Sequence, residues 1–215
     1  ITGATDGIVD GDQAATITAS VTDFVSGSES VTVVDADVAT LTVAISVSSI
    51  TEAGGVATAT VTRNTSASSS LAVDLESSDL TAATIPAGVT IAAGQSSVSF
   101  AVVGVDDSVV DGDQTTVVTA SVAGYVDGSE SIVVVDDDVA TLALTITDAS
   151  ISEAGGVTTA TLSRNTLTTD AIIVSLNSDD VSEAVVPDDV TIPVGATSVT
   201  FNVNAVDDTV FDGDQ

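Results

Sequence analysis

Apolar and polar residues alternate along most of the chain, in short segments separated by clusters of Gly, Pro, Asn or Asp. Such alternation is typical of half-buried antiparallel strands, because successive side chains of a strand point to opposite faces of the sheet. The segments are rich in Val, Ile and Thr, which favour strands. In the middle of the sequence the pattern predicts strands at 40–47, 56–63, 71–77, 82–91, 96–105, 114–122 and 129–135.

Seven short strands within about one hundred residues predict an all-β fold, an immunoglobulin-like sandwich of two packed sheets. The fourth segment is irregular, because Pro86 and Gly88 interrupt its alternation. We expect a core of small aliphatic side chains around Phe100, with Tyr125 or Phe24 near one end of it.

The sequence repeats with a single period. Asp-Gly-Asp-Gln occurs at 10–13, 111–114 and 212–215, and the differences 111 − 10 and 212 − 111 are both 101. The same offset relates the Glu-Ala-Gly-Gly segments at 52–55 and 153–156, and the Arg-Asn-Thr segments at 63–65 and 164–166. A period of this length is too long for a solenoid and suits a small complete domain, so the chain is predicted to be a tandem array.

We divide the chain into the last part of one repeat at 1–38, a complete repeat at 39–139 and an incomplete third repeat at 140–215. We expect the sequence to be a window of a longer protein. Partial repeats expose strand edges that can pair with another chain. We therefore expect these sheets to be completed by neighbouring sequence or by residues 1–38 of another copy, head to tail.

The composition restricts the function. The chain has 32 acidic and 2 basic residues and a formal net charge of −30, which makes nucleic acid and anionic membrane surfaces poor partners. It has no His or Cys, and its two basic residues are Arg63 and Arg164, so zinc sites, disulfides and most catalytic groups are excluded. A hydrophobic content of 44% nevertheless argues for a folded chain. No apolar run is long enough to span a membrane.

The acidic residues are predicted to meet at one end of the sandwich. In a seven-strand sandwich of this kind, the loops after the first, third and fifth strands lie at the same end as the exit from the seventh. Nine of the thirteen acidic residues of 39–139 belong to these segments: Glu52, Asp79, Asp106, Asp107, Asp111, Asp113, Asp136, Asp137 and Asp138. We call this end the acidic end.

Carboxylates this close repel each other, so a cation is expected to neutralise them. Several carboxylates and backbone carbonyls on flexible loops suit the six to eight oxygen ligands of calcium better than the strict octahedron of magnesium. The alternative is a solvated acidic surface that keeps the chain soluble.

Three segments resemble signature segments of the Calx-beta domain family: 52–55 after the first strand, 105–113 after the fifth and 135–138 at the end of the repeat. The resemblance covers the full 101-residue period. It implies a β-sandwich domain with a cluster of calcium ions at the acidic end. Members of this family occur as calcium sensors in sodium–calcium exchangers and as tandem modules of large extracellular and bacterial surface proteins.

The resemblance also implies which residues bind calcium. In the complete repeat they are Glu52, Asp79, Asp106, Asp107, Asp111, Asp136, Asp137, Asp138 and the carbonyl oxygen of Val109. In the next repeat they are Glu153, Asp180, Asp207, Asp208, Asp212 and the carbonyl oxygen of Val210, and in the first partial repeat Asp6, Asp10, Asp35 and Asp37. The neutral Gln114 stands where the family often has acidic residues, which predicts lower affinity. Thr5 and Ala36 replace acids in the first repeat, which predicts fewer or weaker ions there.

Other motifs are less informative. The acidic loop lacks the Asp spacing and the final Glu of an EF-hand, and the nonapeptide calcium repeats of secreted toxins are absent. Asn64-Thr65-Ser66 matches the N-glycosylation pattern, but the next repeat has Leu167 in place of the Ser. We interpret Arg63 and Arg164 as a surface pair with an acid or a carbonyl contact at a strand end. No aromatic subsite accompanies the carboxylates, so the protein is not expected to be an enzyme.

The function we favour is a calcium-stiffened stalk, adhesin extender or surface filament of a secreted protein, in which ions at each junction restrain neighbouring repeats. The low aromatic content, 2%, favours a spacer over an adhesive tip. The alternative is a regulatory calcium sensor of a transporter or signalling protein. Near-identical repeats favour the spacer. A binding face of Thr and Ser on strands, for ice or another ligand, is a third hypothesis, but no regular Thr-x-Thr array supports it.

Overall fold

A computed structural model of the chain describes residues 6–207, and these form an all-β protein. Contacts divide the chain into two compact units. The first unit contains the residues up to Asp107 together with Asp113–Asp136, and the second contains Ser108–Gly112 together with the chain from Asp137 onward. The repeat boundaries at 38/39 and 139/140 stay a prediction from the sequence period.

Residues 6–107 and 113–136, the described part of the first unit, form eleven strands. They are β1 (Gln13–Ala19), β2 (Gly27–Val33), β3 (Leu41–Ile45), β4 (Ser49–Thr51), β5 (Val56–Arg63), β6 (Leu71–Ser77), β7 (Ala83–Thr84), β8 (Gly88–Ile91), β9 (Ser97–Gly104), β10 (Gln114–Ser121) and β11 (Gly128–Val135).

Two sheets of the first unit enclose one hydrophobic core. One has the strand order β4-β11-β10-β6-β8 and the other β3-β5-β9-β7. Alternate residues of each strand are buried, as in β5, where Ala57, Ala59 and Val61 face the core. The cross-strand pair Ala59↔Phe100 fixes the register of β5 against β9 and places the aromatic ring among the buried residues. The predicted β-sandwich is confirmed.

The seven predicted strands are all present in this unit, with two differences. The irregular segment around Pro86 forms two short strands, β7 and β8, which pair with β9 and β6 in opposite sheets. The pattern did not predict β4, because three residues are too few to show a period. Its pairing with β11 is parallel, whereas the other strand pairs are antiparallel.

The predicted core positions of the aromatic residues are partly correct. Phe100 is buried and Tyr125 packs against the core, with its hydroxyl 2.8 Å from Oγ1 of Thr65. Phe24 is exposed, which corrects the expectation that it lies near the core. It sits in the turn between β1 and β2, a two-stranded hairpin that forms a separate sheet.

The second unit contains β12 (Leu142–Ile146), β13 (Val157–Arg164), β14 (Ile172–Ser175), β15 (Ala184–Val185), β16 (Asp189–Ile192) and β17 (Ser198–Ala205). The strand orders are β12-β13-β17-β15 and β14-β16. Ala160, Leu162 and Ile192 are buried, whereas every residue of β12 is exposed. In the described part of the chain no helix has the length and apolar character needed to cross a lipid bilayer.

Candidate metal centre

Strand β4 places Glu52 beside the end of β11. Thr51 pairs with Val135, and the Glu52 N–H donates to the Val135 carbonyl at 3.1 Å. The side chain of Ile50 is buried and anchors the strand in the core. Glu52 therefore follows directly after a fixed strand, next to the point where the Asp136-Asp137-Asp138 segment begins.

Two glycines hold the Glu52 backbone in place. A Cβ on Gly55 would lie 2.5 Å from the Thr51 carbonyl oxygen. A Cβ on Gly104 would press on the same oxygen and would lie 3.2 Å from Cα of Glu52. The Gly104 N–H also donates to the Gly55 carbonyl at 2.8 Å, which joins the end of β9 to this turn. The close approach brings the loop after β9, which carries Asp106, toward Glu52.

Glu52 is the shared member of two groups of carboxylates. One oxygen from each of Glu52, Asp106 and Asp137 lies within 4.8 Å of the others, and the same holds for Glu52, Asp136 and Asp138. Glu52 is only 5% exposed, whereas Asp106 and Asp137 are exposed and Asp136 and Asp138 are half-buried. These acids come from three separate segments of the sequence, so the fold itself brings like charges together.

Asp113 ties the loop after β9 to the end of β11. Its Oδ1 accepts a hydrogen bond from the Asp136 N–H at 3.3 Å. The corresponding residues of the first partial repeat make the same contact, with Asp12 Oδ1 accepting from the Asp35 N–H at 3.0 Å. The family resemblance did not assign Asp113 a role, although its recurrence as Asp12 at the 101-residue offset was a signal for it.

Asp79 lies at the same end of the sandwich but closes a turn of its own. The Val105 N–H donates to the Ala82 carbonyl at 2.9 Å, so the turn lies beside the loop after β9. Asp79 Oδ1 accepts from the hydroxyl and backbone N–H of Thr81, at 2.6 and 2.9 Å. The hydroxyl and then the backbone hydrogen bonds hold the pKa of Asp79 below its ordinary value of 3.8.

The first partial repeat forms an acidic cavity of about 240 Å³ whose lining includes Asp6, Asp10, Asp35 and Asp37. Asp35 organises it. Its Oδ1 accepts from the Asp37 N–H at 2.9 Å, and its Oδ2 accepts from the N–H groups of Asp10 and Gly11 at 2.9 and 2.8 Å. The hydrogen bonds from Asp37 and Gly11 and, more weakly, from Asp10 lower the pKa of Asp35. The carboxyl group of Asp35 therefore stays ionised to a lower pH than an ordinary aspartate.

The other predicted ligands are not members of these two carboxylate groups. Asp107, Val109 and Asp111 lie in the loop between β9 and β10, and Glu153 and Asp207 are exposed in the second unit. Asp180 repeats the turn of Asp79: hydrogen bonds from the hydroxyl and backbone of Ser182 lower its pKa. Asp208, Val210 and Asp212 lie outside the described residues.

The two arginines contact carbonyl groups at strand ends, one of the two interpretations drawn from the sequence. Arg63 Nη2 donates to the Gln95 carbonyl at 2.9 Å, and Arg164 Nη1 to the Asp170 carbonyl at 2.7 Å. Both side chains are buried, 5% and 6% exposed, so their expected position on the surface was wrong. The guanidinium group satisfies carbonyls at the edge of the core, where its fixed array of donors suits several acceptors.

The donor set of the clusters fits a hard divalent cation. All of its side-chain donors are carboxylate oxygens, and they come from loops whose backbone carbonyls can add further oxygen ligands. Calcium prefers this combination, because it binds six to eight oxygens at about 2.3–2.6 Å in variable geometry. The same set offers no nitrogen or sulfur ligand for zinc or copper.

No protein-family model matches the sequence, and no curated protein matches it. Among solved structures, CBD12 from CALX1.2 matches at 14% identity and a TM-score of 0.33, over 78% of this chain and 76% of that one. The apo form of the Calx CBD1 domain matches at 20% identity and a TM-score of 0.36, over 46% of this chain and 99% of that one. The calcium binding domain CBD12 of CALX1.1 matches at 14% identity and a TM-score of 0.33, over 75% and 73%. This chain is thus similar to structures of Calx domains, the family that its sequence motifs resemble.

Proposed function

We propose that the protein is a calcium-binding structural module whose repeats are stiffened by ions at the acidic end. The observation that carries the proposal is the meeting of Glu52 with Asp106 and Asp137, and with Asp136 and Asp138, within 4.8 Å. Like charges at this distance repel by about 1 kcal/mol per pair even in water. A divalent cation converts this repulsion into attraction and holds the three contributing segments together.

The ligands of the complete repeat are the Glu52 clusters, supplemented by Asp107, Asp111 and the Val109 carbonyl from the same loop. The cavity of the first partial repeat is a weaker site, because Asp35 uses both carboxylate oxygens to accept backbone hydrogen bonds. Asp79 contributes mainly through Oδ2, because Thr81 engages Oδ1.

Calcium titration by calorimetry on the 215-residue chain tests the binding. The double substitution of Asp106→Asn and Asp137→Asn is expected to abolish the heat that comes from the complete repeat, because both residues belong to the Glu52 cluster. The matched control is Asp74→Asn, since Asp74 is exposed on β6, away from the loops of the acidic end. Unchanged binding in the double variant, or an equal loss in the control, would contradict the proposal.

The role that we assign to binding is mechanical and not catalytic: a stalk, adhesin extender or filament at the cell surface. A net charge of −30 makes an ion-free chain self-repelling, and millimolar extracellular calcium suits a site of modest affinity. Small-angle scattering with calcium and with chelator tests the stiffening. An unchanged maximum dimension would remove this role and leave calcium binding intact, as expected for a sensor that does not stiffen the array.

The partially exposed sheets support assembly of copies head to tail. Residues of β1–β2 pair in the same register as those of β10–β11, shifted by 101: Gln13↔Val33 corresponds to Gln114↔Val134. The core-facing residues Val118 and Ile132 are buried, whereas their counterparts Ile17 and Val31 are 50% and 40% exposed.

The second unit exposes the complementary surface. Leu142 and Leu144 are 50% and 53% exposed, although their counterparts Leu41 and Val43 are buried in the first unit. We therefore propose that β12 is covered by the β1–β2 hairpin of another copy, or by an equivalent hairpin from a neighbouring repeat of the same chain. Sedimentation across a concentration series tests assembly. A chain that stays monomeric at high concentration, with the amides of β12 protected from hydrogen exchange, would contradict it.

A further inference from the structure

The side chain of Asn64 makes three hydrogen bonds at one corner of the first unit. Its Oδ1 accepts from the Thr40 N–H at 2.7 Å. Its Nδ2 donates to the Val38 carbonyl at 2.9 Å and to the Gly7 carbonyl at 3.0 Å. Thr40 and Val38 belong to the segment that leads into β3, but Gly7 lies 57 positions earlier in the sequence.

The backbone at the same corner holds the segment that follows Gly7. The Val9 N–H donates to the Asn64 carbonyl at 3.0 Å, and the Ser66 N–H donates to the Val9 carbonyl at 3.3 Å. Val9 and Thr65 thereby form an isolated parallel bridge. The Asn64 side chain and the bridge together hold a three-residue segment, residues 7–9, that comes from the preceding repeat.

The same contacts recur in the second unit at the 101-residue offset. The Asn165 side chain accepts from the Thr141 N–H at 2.7 Å and donates to the carbonyls of Val139 and Ser108, each at 3.0 Å. Val110 takes the position that Val9 has in the first unit. The Val110 N–H donates to the Asn165 carbonyl at 2.8 Å, and the Leu167 N–H donates to the Val110 carbonyl at 3.3 Å. These contacts explain why Ser108–Gly112, which lies between β9 and β10 in the sequence, belongs to the second unit.

We propose that the Arg-Asn-Thr corner of each repeat is a docking site for one loop of the preceding repeat. This loop is the one that corresponds to the β9–β10 connection and contains Ser108–Val110. The partner of the corner is a three-residue backbone segment that presents a carbonyl at its first residue and both an N–H and a carbonyl at its third. The inference goes beyond calcium binding, because none of these hydrogen bonds involves a carboxylate.

Recognition at this corner depends on the main chain of the loop. Gly7 is replaced by Ser108 and Ser66 by Leu167, yet the corresponding hydrogen bonds have the same lengths. The Asn is required because its amide combines one acceptor with two donors. The glycosylation pattern does not explain this residue, since Asn165 lacks the pattern and makes the same contacts.

Asn165→Asp in the 215-residue chain tests the proposal, because the carboxylate keeps the acceptor for Thr141 but replaces the donors to Ser108 and Val139. We expect the amides of Val110 and Leu167 to exchange about tenfold faster, as for the loss of roughly one net hydrogen bond. The amide of Leu162, inside β13, should exchange as in the wild type. The Asn64 corner of the same molecule is the matched control, so the Val9 amide should also be unchanged.

A second variant, Val110→Pro, removes the N–H that donates to the Asn165 carbonyl and leaves the Asn165 side chain intact. We expect the Leu167 amide to lose protection while Thr141 keeps it. Unchanged exchange at Val110 in Asn165→Asp would overturn the proposal. Equal acceleration at Leu162 would also overturn it, since Asn165 would then stabilise the second unit as a whole instead of holding the loop.

Discussion

Glu52→Gln is expected to change stability in opposite directions with and without calcium. Glu52 is buried and belongs to both carboxylate groups of the acidic end. The substitution keeps the shape of the side chain and removes one negative charge. Without calcium it relieves repulsion, and with calcium it removes a ligand that the ion needs.

The size of the first effect follows from the geometry. Two unit charges separated by 4.8 Å repel by about 0.9 kcal/mol at a dielectric constant of about 80. Glu52 faces four such neighbours, and physiological salt screens each interaction by roughly half. We therefore expect the free energy of unfolding of the calcium-free protein to rise by about 2 kcal/mol. In calcium the wild type gains stability from binding, and the variant gains less, so the order of the two proteins reverses.

Urea unfolding in chelator and in saturating calcium measures both effects. Glu130→Gln is the matched control, because Glu130 is exposed near the start of β11, whose opposite end leads to Asp136, and the change should alter stability by less than about 0.5 kcal/mol in either condition. If Glu52→Gln destabilises the calcium-free protein and responds to calcium as the wild type does, Glu52 does not lie in a repulsive, cation-binding cluster.

Three further predictions follow from single contacts. Gly104→Ala should lower calcium affinity in calorimetry and cost about 1–3 kcal/mol of stability, because its Cβ would press on Thr51 and Glu52; Gly27→Ala, whose Cβ meets nothing within 4 Å, should do neither. The lowered pKa of Asp79 gives stability that is present above its ordinary value of 3.8 and lost as the pH falls through the lowered value. In Asp79→Asn the melting temperature should therefore depend less on pH in this acidic range than it does in the wild type. An unchanged pH dependence would refute the stabilising role of the Asp79 carboxylate. Leu144→Glu should weaken self-association in sedimentation, because this side chain is 53% exposed on β12; undiminished association would exclude β12 as the contact.

Most strands could be predicted from the sequence because apolar residues that face the core alternate with polar residues that face solvent. Strand β5 shows why: Ala57, Ala59 and Val61 face the core while Thr58 faces solvent. Strand β4 could not be predicted, since its position depends on pairing with β11 across 133 − 49 = 84 residues. Phe24 could not be placed either, because its exposure follows from the hairpin of which it forms the turn.

The grouping of acids was predictable from strand order, but the detail of the site was not. The sequence placed Glu52 and Asp106 after strands that end at the same edge, and the structure brings their oxygens together. The burial of Glu52 depends on the close approach of Gly104, which no local pattern reveals. The hydrogen bonds from Thr81 to Asp79 Oδ1 depend on the geometry of the turn. The presence of an acidic residue in a loop does not predict them.

The main-chain character of the Asn64 and Asn165 corners has a consequence for how such a protein evolves. A joint that ignores most side chains of the loop survives when a stretch of 101 codons is copied, lost or exchanged by recombination. Each new copy already carries both halves of the joint, the loop and the asparagine. The length of the protein can therefore change from one generation to the next without any compensating substitution where the copies meet.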